Sequence, residues 1–216
     1  MNMLKSLVPA IVVVMYVLIT VVSINAETVV TVSELQAGWA VANYQLADKA
    51  QLEAFGNLEA DAERFTGENP EDVEGWVWSG IIKSTYAGAK GGLGALGLAK
   101  AARKDLERAL EIDDHAMHGS AYTSLGTLYF SVPGWPVGFG SDKKAEQMLT
   151  KGLEINPDGI DSNYFYAEFL RDQGKFDEAR RFYAKAREAA PRPARPLADQ
   201  GRRQEIATAL DALKVK

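Results

Sequence analysis

Beyond residue 32 apolar residues recur at three- and four-residue spacing, and strict alternation is confined to a short stretch near 29–32. A period near 3.6 belongs to an amphipathic helix and a period of two to a half-buried strand, so the pattern predicts an all-α protein. The clearest segment is 159–191. Its first helix carries Tyr164, Phe165, Tyr166, Ala167 and Leu170, Gly174 follows, and a second helix carries Ala179, Tyr183 and Ala186 before Pro191. Ala179 and Ala186 let two helices approach closely, while Tyr166, Leu170 and Tyr183 fill the space between them. Gly174 turns the chain, and Pro191, with no N–H to donate, ends the second helix.

A step back of 34 residues finds the same pattern: Ala179 maps to Ala145, Tyr183 to Leu149, Ala186 to Gly152 and Pro191 to Pro157. This earlier second helix is expected over 142–156, with Ser141 or Asp142 as N-cap. Its first helix is expected over 120–130, with Tyr122, Leu125, Gly126 and Tyr129. One unit further back the helices are 73–87, with Trp76 or Trp78 and Gly80, and 98–112, with Ala102, Leu106 and Ala109. A degenerate pair over 33–48 and 52–65 comes first, Ser33 and Gln36 offering a capping box. A terminal unit of an array is expected to be atypical. After Pro191, the run Arg192-Pro193-Ala194-Arg195-Pro196 predicts a stiff extended linker. Ile206, Leu210 and Leu213 then mark an amphipathic capping helix from about residue 198 to residue 213. The expected organisation is an α-α superhelix of about four helix pairs over 33–191, with linker and cap over 192–216.

Two stretches depart from the repeat. Residues 88–97 and 131–140 are rich in glycine or proline, and both fall between the first and second helices of consecutive units. As inflated turns they belong on one edge of the superhelix. Gly92-Leu93-Gly94-Ala95-Leu96-Gly97 spells G-x-G-x-x-G, but a dinucleotide site needs a strand immediately before it, and a helix precedes it here. An elongated turn is the better reading, with an anion at the N-terminus of the next helix left open.

Chemistry is sparse. His115 and His118 are the only histidines, with Asp113 and Asp114 beside them; so few ligands point to an inter-repeat turn rather than a metal site. No serine elbow accompanies a histidine, so no catalytic residues, metal or cofactor are expected. The aromatic residues suggest binding instead. Trp76, Trp78, Tyr164 and Tyr166 lie on first helices, which line the concave side of such superhelices. Trp135 and Phe139 lie in the 131–140 loop, longer than a repeat requires. Core packing competes with binding for all six, since large aromatics at helical spacing often pack inside.

Composition narrows the classes further. The 216 residues carry a formal charge of -5, or -6 without Lys5, and no cysteine. An acidic chain argues against nucleic acid as the main partner. Without cysteine there is no disulfide framework and no thiolate site. Residues 1–26 read as an export signal: Lys5 supplies the positive start, 7–22 is a 16-residue run without charge, and Ala26 offers a small residue for cleavage. That run is shorter than the ~20 residues of a membrane span. Cleavage is therefore expected; the alternative is an uncleaved anchor, since Ile24 stands where alanine is commoner. Membrane contact is expected only in that second case.

Over 33–191 these features resemble tetratricopeptide repeat proteins. The run Val132-Pro133-Gly134-Trp135-Pro136-Val137-Gly138-Phe139-Gly140 before a Lys-Lys-Ala helix, followed by Ile155-Asn156-Pro157-Asp158-Gly159, more narrowly resembles the T-component (TatT) family of tripartite periplasmic transporters. The first resemblance implies an exported scaffold or adaptor in the periplasm, or anchored to the inner membrane, that binds another protein. The second implies, as the alternative, an accessory subunit that holds a small apolar ligand or docks a transporter's binding protein. No lipobox cysteine is present, so lipid anchoring does not carry over.

Overall fold

The computed structural model describes residues 30–214, so the expected leader at 1–26 lies outside the described residues. Among those described, nine helices follow one another and no strand forms: α1 (Val32–Tyr44), α2 (Asp48–Glu68), α3 (Val73–Lys90), α4 (Gly92–Ile112), α5 (Ala116–Ser131), α6 (Asp142–Ile155), α7 (Ile160–Asp172), α8 (Phe176–Glu188) and α9 (Pro196–Leu213). The first eight pack as hairpins, α1 on α2, α3 on α4, α5 on α6 and α7 on α8.

Side-chain caps mark three helix starts. Thr31, not Ser33, caps α1: its hydroxyl accepts from the Glu34 N–H while the Glu34 carboxylate accepts from the Thr31 N–H. The first pair therefore breaks at 45–47, and Asp48 opens α2 instead of ending α1. Asp72 caps α3 through the Gly75 N–H, and Ser141 caps α6 through the Lys144 N–H.

The repeat logic lies inside the hairpins. A Cβ on Gly80 would overlap Leu106 Cγ, and one on Gly126 would overlap Leu149 Cγ. Helices α3 and α5 thus each offer bare backbone to a leucine of the second helix. A buried ion pair adds direction: Lys83 Nζ donates to Asp105 Oδ2 at 2.8 Å, and the same oxygen accepts from the Ser79 hydroxyl at 2.7 Å.

Residues 88–97 are not an inflated turn. Helix α3 runs through Lys90, α4 starts at Gly92, and Gly91, at φ 61°, is the whole connection. Three glycines in the first turns of α4 each cost about 1 kcal/mol against alanine. Packing offsets this, since Ala87, Leu98 and Ala99 are buried in the same core as Val77 and Leu106.

The linker also departs from expectation. It is turned rather than extended, with the Arg195 N–H bonded to the Arg192 carbonyl at 2.9 Å. Ion pairs hold the turn. The Arg192 guanidinium reaches Asp199 and Asp161, each at 2.6 Å, and Arg202 donates to the other Asp161 oxygen at 2.9 Å and to Glu205 at 2.6 Å. Burial opposes charge on Asp161, but Arg202 and then Arg192 hold its carboxyl well below the usual carboxylate range.

This clamp directs α9 across the stack. Besides capping α8, α9 touches α7 and returns to α1. Ala198 joins the core formed by Leu35, Trp39, Phe55 and Trp78, while Ile206, Ala209 and Leu213 stay in the core of α7 and α8. Gly201 lies so close to α1 that a Cβ there would overlap the Tyr44 ring. The Tyr44 hydroxyl donates to Glu205 at 3.4 Å, and its pKa, mainly through burial, is pushed up to about 12. The described helices close into a ring.

Two predictions follow from this closure. In an exposed helix Gly→Ala stabilises by about 1 kcal/mol. Gly201→Ala is expected instead to destabilise by roughly 1–3 kcal/mol in urea titration, as overpacking does, and to speed amide exchange over 198–206; a stabilised variant would contradict the contact with Tyr44. Asp161→Asn is expected to cost roughly 3 kcal/mol near neutrality, because it leaves buried Arg202 with Glu205 alone of its two carboxylate partners and takes one of two from Arg192. Asp161 has a depressed pKa when folded and titrates near 3.9 when unfolded. Its contribution is thus complete above about pH 4 and fades as pH falls below that. The stability gap between wild type and variant should be flat at neutral pH and shrink in acid; a gap that widens in acid would refute the clamp.

Candidate functional site

The ring surrounds a cavity of ≈ 810 Å³ that stays open to solvent. Small-molecule sites fall at about 300–1,000 Å³. The regular part of helix α5 lines the cavity from Ser120 to Ser131, which at 1.5 Å per residue is a length of about 16 Å. The cavity therefore runs along the first helices from one rim of the ring to the other. At one rim lie Gly88 and Gly92 of the α3–α4 junction with Val132, Pro133 and Val137 of the α5–α6 loop. The two stretches that depart from the repeat thus meet at the same mouth, although only the second is a loop. The opposite rim holds Met117, His118, Asp158, Arg192 and Arg195. Met117 and His118 are in the left-handed region, at φ 49° and 55°. That conformation costs an L-residue about 1–2 kcal/mol; Gly119 continues it before α5 becomes regular.

The six candidate aromatics do not form one surface. Trp78 lines the cavity, 1% exposed, and its indole N–H has no acceptor among the described residues. Trp76 is half-buried against the central core, and its indole N–H donates to the Pro70 carbonyl at 2.8 Å. Tyr164 and Tyr166 flank Phe165, and Phe165 is the one that lines the cavity. Tyr164 lies under the Arg202 guanidinium at 4.3 Å, and burial above all raises its hydroxyl pKa. Tyr166 packs edge-on against Phe182 at 4.7 Å. Trp76, Tyr164 and Tyr166 thus do not line the cavity with Trp78; each is half-buried and packs between helices.

The α5–α6 loop keeps its two aromatics apart. Phe139 turns inward, edge-on to Tyr129 at 5.8 Å and beneath the Arg103 guanidinium at 4.5 Å. Trp135 turns outward and is 89% exposed, with Val137 at 65% beside it. The Trp135–Pro136 peptide bond is cis. The loop is closely built: the Gly140 N–H donates to the Pro133 carbonyl, the Ser141 N–H donates to the Tyr129 carbonyl, and a Cβ on Gly140 would overlap the Val132 carbonyl.

Several cavity residues escaped the sequence pattern: Trp39, whose indole N–H donates to Thr85 Oγ1 at 3.0 Å, Phe165, and Arg192, Arg195 and Arg202. A signal for the arginines existed. An acidic chain places four of them within 192–203. The two histidines do not share a face. His118 lines the cavity, while His115 bonds Asp114 at 2.6 Å on the surface, where Asp113, Asp114 and His115 gather their ligand atoms within 4.8 Å. The Asp113 carboxylate there accepts the His115 N–H, which closes the inter-repeat turn. No helix among the described residues is long and apolar enough to cross a membrane.

Comparison with known proteins supports the fold. Residues 143–200 match the tetratricopeptide repeat family. Among solved structures, a thermophilic TPR protein from Thermus thermophilus aligns with a TM-score of 0.55 at 19% identity, covering 82% of this chain and 96% of that one. MamA protein aligns with a TM-score of 0.44 at 17% identity, covering 83% and 90%. No curated protein matches the chain. The chain is thus a helical-repeat protein of tetratricopeptide fold, carrying the family's sequence signature over 143–200.

Proposed function

We propose that this protein is an adaptor, exported to the periplasm, that binds another protein through the rim bearing Trp135. The observation that carries this reading is the exposure of that indole, 89%, on a loop held closely to its own helices. Large exposed aromatics on rigid supports are the usual anchors of protein interfaces. The flanking Lys143 and Lys144 are exposed as well, so the fitting partner surface is an apolar pocket with acidic edges. A partner lying along the concave face, as in an open superhelix, is disfavoured because α9 closes that face.

A photo-crosslinker replacing Trp135 in cells is expected to give one discrete adduct, and one replacing exposed Lys49 of α2, a helix that packs on neither α5 nor α6, is expected to give none. With the captured partner purified, Trp135→Ala should weaken binding by about 2 kcal/mol or more, on the order of 30-fold in Kd. No adduct at position 135, or an unchanged Kd, removes this reading. Export rests on the charge and apolar pattern of residues 1–26. Alkaline phosphatase fused after residue 30 is expected to be active, and to lose activity when residues 7–22 are deleted; activity surviving that deletion counts against export by this segment.

A second reading is favoured by the cavity within the ring. It makes the protein an accessory subunit that holds a small ligand, as expected for a partner of a periplasmic transporter.

A further inference from the structure

The two ends of the cavity differ chemically. Arg192, Arg195 and Arg202 line one end with two carboxylates, Asp158 and Asp161. Asp161 is shared by Arg192 and Arg202, and Asp158 pairs with Lys185 at 3.2 Å. Asp199 is buried and bonded to Arg192, and Glu205 to Arg202. Every nearby carboxylate is thus engaged, and Arg195 makes no ion pair among the described residues. Its guanidinium rests over the Trp78 ring at 4.8 Å. Burial and then repulsion by Arg192 lower its pKa, with Asp161 and Asp199 acting only from a distance. Its surroundings compensate this cation poorly. Beneath it, the buried Trp78 indole N–H lacks an acceptor, a costly state for a buried donor.

Toward the other rim the lining turns to Ala95, Leu96, Leu128 and Val132. Of the hydroxyls between, those of Ser124 and Ser131 have no partner among the described residues, and the threonines are already engaged. Thr85 donates to the Ile81 carbonyl and Thr127 to the Thr123 carbonyl, each at 2.9 Å. Their methyl groups and lone pairs are what remains for an occupant.

We propose that the cavity takes a linear amphipathic organic acid. Its carboxylate pairs with Arg195, above the buried Trp78 ring, and its alkyl chain follows α5 toward Leu96, Leu128 and Val132. The charge supports this, because a neutral apolar ligand would leave Arg195 uncompensated and a compact inorganic anion would leave the apolar length of the cavity unused. The proposal rests on the ligand-holding reading and adds the chemical class of the ligand.

The test compares decanoate, decan-1-ol and inorganic phosphate on the purified protein near neutral pH, by calorimetry and by the fluorescence of Trp39 and Trp78. Decanoate is expected to bind about 30-fold more tightly than decan-1-ol, in keeping with a charge-assisted hydrogen bond. Arg195→Gln should abolish that preference, and Arg195→Lys should keep part of it. Leu96→Trp, at the apolar end, should weaken decanoate but not butanoate. Equal affinity for decanoate and decan-1-ol, or a preference that survives Arg195→Gln, overturns the acid while leaving the cavity reading intact. Phosphate binding as tightly as decanoate overturns the amphipathic class. Binding of neither decanoate nor decan-1-ol overturns the proposal together with the cavity reading.

Discussion

The contact between the last helix and the first governs this molecule. A stack of helical hairpins normally touches only its neighbours and leaves its concave face open. Here the carboxylate of Asp161, in the first turn of α7, grips Arg192 before α9 and Arg202 within it. A carboxylate is favoured at that helix N-terminus, and the two guanidiniums fix the direction in which α9 departs. Buried ion pairs add little net stability against well-packed apolar groups. They do impose geometry, and geometry is what α9 needs in order to place Gly201 against Tyr44. Without that approach the concave face would be a groove; with it, the face becomes a cavity.

The repeat itself was legible in the sequence, because it depends on local rules. Ala145 and Ala179, or Pro157 and Pro191, recur at the same step since each hairpin solves the same packing problem alone. The capping error at α1 was also local: Thr31 with Glu34 satisfies the capping-box spacing as well as Ser33 with Gln36 does. Residues 88–97 misled for a different reason. Glycine propensity argues for a turn, but burial of Ala87, Leu98 and Ala99 outweighs it. The linker misled because the group that bends it, Asp161, lies 31 residues before Arg192. No window around the linker contains it.

The aromatic residues show how far periodicity reaches. Successive helix positions are about 100° apart, so residues two apart point in nearly opposite directions. Trp76 and Trp78 cannot share one wall, nor can Tyr164 and Tyr166. The structure gives the cavity Trp78 from the first pair and, between the members of the second, Phe165. The exclusion within each pair was readable in advance. Which member faces inward depends on how α3 and α7 rotate against their neighbours, and that is settled by contacts far along the chain.

The α5–α6 loop joins the outer surface to the interior. Val132 and Pro133 line the cavity while Trp135, two residues on, faces solvent. Phe139 returns to Tyr129, and the Ser141 N–H returns to the carbonyl of the same residue at 2.8 Å. Both ends of the loop are therefore tied to one turn of α5, and the close approach of Gly140 to Val132 leaves little slack between them. A rigid loop has few ways to adjust one side alone. The adaptor and ligand-holding readings thus meet at one segment, 131–140, where the chain departs from its own repeat.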